Sequence, residues 1–69
     1  MSLSARNRLG GIAQRVETDG LMAEVAIELD GGQVVTTAIT AGSVERLGVE
    51  EGKALDAVIK ATEVMVEVD

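Results

Sequence analysis

The sequence has no cysteine, no histidine, no proline and no aromatic residue. Without cysteine there is neither a disulfide nor a thiolate metal site. Without histidine the commonest metal ligand is missing too. Nucleophile–base pairs of the usual kind need His, Cys or a suitably placed Lys, and Lys53 and Lys60 are the only lysines. The chain therefore reads as a binding protein and not an enzyme, with no catalytic residue to name. Zero aromatics remove the platform on which single-strand binders stack bases. Positive charge is also scarce: six bases stand against twelve acids, a formal net charge of −6. That argues against a nucleic-acid partner, whose affinity comes largely from Lys and Arg on phosphates. No apolar run approaches the roughly 18 residues of a membrane span. The first residues, Met1-Ser2-Leu3-Ser4, lack the basic and apolar regions of a signal peptide. The expectation is a cytoplasmic protein with no membrane partner.

What is present is aliphatic. Of 69 residues 46% are apolar, so the core is built from Val, Ile, Leu, Ala and Met alone. The length admits a single domain, residues 1–69. A domain of about 60 residues buries only about 60% of its unfolded surface and is marginal alone. With disulfides and thiolate metals excluded, oligomerisation is the remaining way to stabilise it.

Alternation with period two dominates the chain. Ala23, Val25, Ile27 and Leu29 share one strand face, and Glu24, Glu28 and Asp30 share the other with Ala26. Leu55, Ala57, Ile59 and Ala61 alternate with Asp56, Val58, Lys60 and Thr62. Val64, Val66 and Val68 alternate with Met65, Glu67 and Asp69. Residues 34–39 are nearly all apolar or Thr, as in a strand covered on both faces. Asp19-Gly20 and Asp30-Gly31-Gly32 read as hairpin turns. Gly10-Gly11, inside the first strand pattern, reads as a bulge or bend. One stretch, ITAGSVERLGVEEG, breaks the alternation. Thr40 or Ser43 caps a helix of about two turns, and Gly48 ends it. The expected fold is all-β: a small five-stranded barrel of the oligonucleotide/oligosaccharide-binding (OB) type, with one short helix between strands three and four.

The chemistry-bearing residues are donors. Arg6 presents a planar fork of N–H groups suited to an oxyanion, and Ser4 and Asn7 flank it. Thr40 and Ser43 place two hydroxyls at the helix start, where free N–H groups also favour anions. Lys60 stands alone in the apolar run ALDAVIKAT. Each also has a plainer role: Thr40 or Ser43 as a helix cap, Asn7 as a turn cap, Arg6 and Lys60 as surface charges. Glu50-Glu51 reads as a solvated face, and Met22 and Met65 as core or interface filler. Gly10-Gly11 lacks the Lys and helix of a phosphate loop. The residues alone thus reach a small oligomeric β-barrel that either binds an anion or only displays these groups.

Taken together, SARN followed by LGG, then ITAGSVERLGVEEG, then VIKATEVM resembles the molbindin, or Mop, family along essentially the whole chain. The resemblance implies a cytoplasmic binder of molybdate and tungstate, serving storage and homeostasis. It implies an OB-like barrel assembled as a homohexamer, a trimer of dimers, with oxyanions at subunit interfaces. Carried over, the ligands are Ser4, Ala5 (through its N–H) and Arg6, then Thr40 and Ser43, then Lys60 and Ala61. The metal is bound only as the oxyanion, and no organic cofactor is implied. Such a set suits molybdate, a dianion unprotonated near neutral pH, whose four oxygens all accept. Hydrogen phosphate carries a proton and wants an acceptor. The expected division puts residues 4–6 on one subunit and Thr40, Ser43 and Lys60 on another. The alternative is an anion-sensing module that acts on a separate protein partner.

Overall fold

The computed structural model describes residues 5–69. Its elements run β1 (Asn7–Asp19), β2 (Met22–Leu29), β3 (Val34–Thr40), α1 (Ala41–Leu47) and β4 (Ala54–Ile59), followed by a single 3-10 turn at Ala61–Glu63. The strands form one antiparallel sheet in the order β3-β2-β1-β4.

The long first strand serves two neighbours. Its first half pairs with β4, from Asn7 opposite Ile59 to Ile12 opposite Ala54. Its second half pairs with β2, from Gly11 opposite Leu29 to Asp19 opposite Met22. Gly11 lies in the overlap, where a Cβ would fall 2.5 Å from the Glu28 carbonyl oxygen and 2.9 Å from Ile27 Cγ2. The glycine is there for close approach, not for a bulge. The register irregularity expected at Gly10-Gly11 lies instead between Ala13 and Arg15. The cause is the segment before β4: the Ala13 N–H donates to the Lys53 carbonyl at 2.9 Å, and the Ala13 carbonyl accepts from the Gly52 N–H at 2.8 Å.

Both hairpins form where the turn residues indicate. Gly20, at φ +63, is the first of two loop residues between Asp19 and Met22, the place where a two-residue hairpin favours glycine. The longer turn is closed by Leu29 N–H to the Gln33 carbonyl at 2.8 Å and Gly32 N–H to the Leu29 carbonyl at 2.9 Å.

The sheet curls around Ala13, Val25, Ile27 and Ala57, all buried, with Val16, Leu29, Val35, Ile39, Val44, Val49 and Leu55 packed against them. The helix closes one end of this core. Thr40 caps it in an extended conformation, its Oγ1 accepting the Ser43 N–H at 3.0 Å. Of the two possible caps, Thr40 is the one used. Gly48, at φ +65, ends the helix in the left-handed region.

Two expectations are corrected. Strand β3 is not covered on both faces: Val35, Thr37 and Ile39 are half-buried, while Val34, Thr36 and Ala38 are exposed. A strand at the sheet edge has one face on the core and one in solvent. The fifth strand is also absent among the described residues. Residues 64–68 alternate as a strand does, yet they pair with nothing, and Met65, Val66 and Val68 are 86–93% exposed. The result is an OB-like curled sheet of four strands with one helix, and the edges of β3 and β4 face each other across an open groove.

Candidate functional site

The β1–β4 ladder decides where the basic residues meet. Its last pair is Asn7 with Ile59, and the Asn7 side-chain amide donates to the Ile59 carbonyl at 3.2 Å. Arg6 precedes this pair and Lys60 follows it. Lys60 is still extended, at φ −67 and ψ 137, so the strand path continues one residue past the ladder. Asn7 and Ile59 are half-buried, while Arg6 and Lys60 are exposed, as alternation across a pleat requires. The two cations therefore stand side by side at one end of β1, in the same chain. The expected division set Lys60 on a different subunit from Arg6; within one chain the β1–β4 register makes the two residues neighbours.

Among the described residues neither cation is paired with an acid. Among the described residues, Arg8 pairs with Asp56 at 3.6 Å, and Arg15 pairs with Glu17 and Glu24 at 3.1 and 3.2 Å. Lys53 Nζ donates to the Leu47 carbonyl at 3.1 Å, and Arg46 Nη2 donates to Ser43 Oγ at 3.2 Å. Arg6 and Lys60 have no such partner among the described residues. Ala5, half-buried, lies beside Arg6. Ala61 opens the 3-10 turn, whose hydrogen bonds are donated by the Glu63 and Val64 N–H groups. Its own N–H lies outside that turn. Ser4 falls outside the described residues.

The hydroxyl pair lies elsewhere. Thr40 is opposite Met22 in the β2–β3 ladder, and Met22 is opposite Asp19, the far end of β1. Thr40 Oγ1 donates to Ser43 Oγ at 2.7 Å. Ser43 Oγ thus accepts from both Thr40 and Arg46, which leaves its own O–H to donate outward. The site residues form two groups, Arg6 with Lys60 and Thr40 with Ser43, at opposite ends of a 13-residue strand. A strand that long follows a path of about 40 Å.

Two residues near these groups were not singled out as ligands. Asn7 clamps β1 to β4, and its place inside SARN was the signal. Arg46 braces Ser43, and the spacing of three on a helix was the signal. No group of three or more His, Cys, Asp or Glu able to hold a metal ion occurs among the described residues. Among the described residues no helix is long and apolar enough to cross a membrane.

Comparison with known proteins agrees with this architecture. Residues 3–66 match the TOBE domain. Molybdenum-pterin-binding protein 3 of Clostridium pasteurianum is 50% identical over 66 residues, covering 96% of this chain and 97% of that protein. Among solved structures, MopII from Clostridium pasteurianum superposes with a TM-score of 0.91 at 45% identity, over 97% of this chain and all of that one. The cytoplasmic molybdate-binding protein ModG, in a form with molybdate bound, gives a TM-score of 0.85 at 43% identity, over 88% of this chain and 43% of that one. With its match to the TOBE domain along nearly its whole length, this chain belongs to the molbindin (Mop) family.

Proposed function

We propose that this chain binds molybdate, and tungstate in the same sites, as a cytoplasmic oxyanion store assembled from several copies. The observation that carries the reading is the pair of cations, Arg6 and Lys60, which flank the Asn7–Ile59 pair and have no hydrogen-bond or ion-pair partner among the described residues. Together they match the charge of one tetrahedral dianion. The nearby backbone N–H groups of Ala5 and Ala61, with the Ser4 hydroxyl, add further donors. Arg6 supplies a planar fork, and Lys60 a compact point charge.

The hydroxyls of Thr40 and Ser43 complete the site from a second chain. Within one chain the ladder pairings set them at the other end of β1 from Arg6 and Lys60. An intersubunit site reconciles the two groups. It also agrees with the exposed apolar surface, which includes Leu21, Leu47, Met65, Val66 and Val68 at 59–93% exposure. The assembly proposed is a homohexamer, a trimer of dimers, with the anions at its interfaces. The names of the relatives and the molybdate-bound neighbour support the choice of anion.

The site residues proposed are donors, so the ligand is an anion without a proton. Calorimetric titration with molybdate, tungstate, sulfate, phosphate and a molybdenum-free pterin tests this. Molybdate and tungstate are expected to compete for one set of sites, with phosphate and the pterin competing poorly. Phosphate binding as tightly as molybdate near neutral pH would sink the reading.

A further inference from the structure

Arg8 is a third cation on the face that carries Arg6 and Lys60. Alternation puts Arg6 and Arg8 on the exposed face of β1, and Asp56, Val58 and Lys60 on the exposed face of β4 beside it. In the ladder Arg8 is opposite Val58, and Gly10 is opposite Asp56. The diagonal neighbours of Arg8 on β4 are therefore Lys60 on one side and Asp56 on the other. Diagonal neighbours lie about 7–8 Å apart, within reach of a long side chain. The guanidinium takes the acidic side: its Nη1 lies 3.6 Å from Asp56 Oδ2. Gly10 keeps that path open. It has no side chain, and the Asp56 carboxylate leans over it, with Oδ1 3.5 Å from where a Cβ would stand. The hold is a light one. At that distance the pair is a charge contact and not a hydrogen bond, and its side chains are 61% and 48% exposed.

We propose that Asp56 withholds Arg8 from the bound oxyanion and so sets the affinity of the site. The inference rests on the anion site at Arg6 and Lys60 and names the residue that tunes it. With Arg8 held, the face offers two free cations, the charge of one dianion. With Arg8 released, a third guanidinium turns to the Lys60 side. There the bound anion cancels the repulsion that otherwise keeps Arg8 from Lys60. A store has to give up its cargo, and an acid that competes with the anion for Arg8 keeps binding from becoming too tight. Asp56 acts through Arg8 and touches no ligand, so it is a positioning residue.

Asp56→Asn keeps the shape of the side chain and removes its charge. Calorimetry should show molybdate binding tightened by about two- to fivefold, the worth of one exposed ion pair. Arg8→Gln added to Asp56→Asn should abolish the gain. Asp56→Glu, which keeps the acid, and Glu28→Gln, which removes a negative charge from an exposed position of β2, should show none. Far-ultraviolet circular dichroism should be the same for all four, because the substituted side chains are exposed. Arg6→Ala, measured alongside, separates two failures. If it binds molybdate as the parent does, the anion site is wrong and the role of Asp56 falls with it. If it binds weakly, the anion site stands. In that case no gain in Asp56→Asn, a gain that survives Arg8→Gln, or an equal gain in Asp56→Glu or Glu28→Gln each overturns the hold of Asp56 on Arg8.

Discussion

Asn7 donates its side-chain amide to the Ile59 carbonyl at 3.2 Å, across the final pair of the β1–β4 ladder. Fifty-two residues apart in sequence, the two hold together the strand ends from which Arg6 and Lys60 project. A charge pair of like sign is costly to bring together without an anion between, and this clamp opposes that repulsion. Asn7→Ala removes a partly buried hydrogen bond worth about 1 kcal/mol. Chemical denaturation should show that loss. Molybdate affinity should fall only a few-fold, because both cations remain. An affinity loss as large as that of Arg6→Ala would make Asn7 a direct ligand.

Arg6→Ala and Lys60→Ala each remove a charged donor. Hydrogen bonds to charged groups are worth about 1.5–3 kcal/mol, so each substitution should weaken molybdate binding by roughly tenfold to a hundredfold. Arg6→Lys should weaken it too, because the fork is lost while the charge stays. Glu28→Ala, on an exposed strand position, is the control. Titration calorimetry measures all four, and parent-like affinity in Arg6→Ala would reduce Arg6 to a surface residue.

Thr40 has two jobs that substitution can separate. Its Oγ1 caps α1 through the Ser43 N–H and orients Ser43 Oγ. Thr40→Ala should cost about 0.5–2 kcal/mol of stability as a lost cap and should also weaken anion binding. Thr40→Ser should restore both. Ser43→Ala should weaken binding while leaving the Thr40 cap, since the cap uses the Ser43 backbone N–H. Thermal melts with and without molybdate distinguish the two effects.

Gly11→Ala should destabilise the fold without touching the donors. The new methyl would meet the Glu28 carbonyl oxygen, a backbone atom that cannot swing aside. Overpacking of this kind costs about 1–3 kcal/mol, a fall of about 4–8 °C in melting temperature for each kcal/mol in a domain this size. Gly10→Ala, whose nearest neighbour would be Asp56 Oδ1 at an ordinary 3.5 Å, should change little. Equal melting temperatures for the two variants would contradict the close approach at Gly11.

Much of this protein was legible in its sequence because it depends on local rules. The alternation of Ala23, Val25 and Ile27 with charged neighbours places β2, and those three are buried. Gly20 and Gly48 mark a turn and a helix end because both need positive φ. The absence of His, Cys and aromatics narrows the chemistry before any fold is known. Tertiary structure decided what local rules cannot express. The bulge lies at Ala13 because a loop 40 residues away binds that residue's backbone. Lys60 stands beside Arg6 because the β1–β4 register puts Ile59 on Asn7, and period-two spacing carries no information about pairing partners. The valines of residues 64–68 show a strand pattern without a strand. Alternation states which face seeks a core; only the folded chain shows that the core within its own reach leaves that face uncovered.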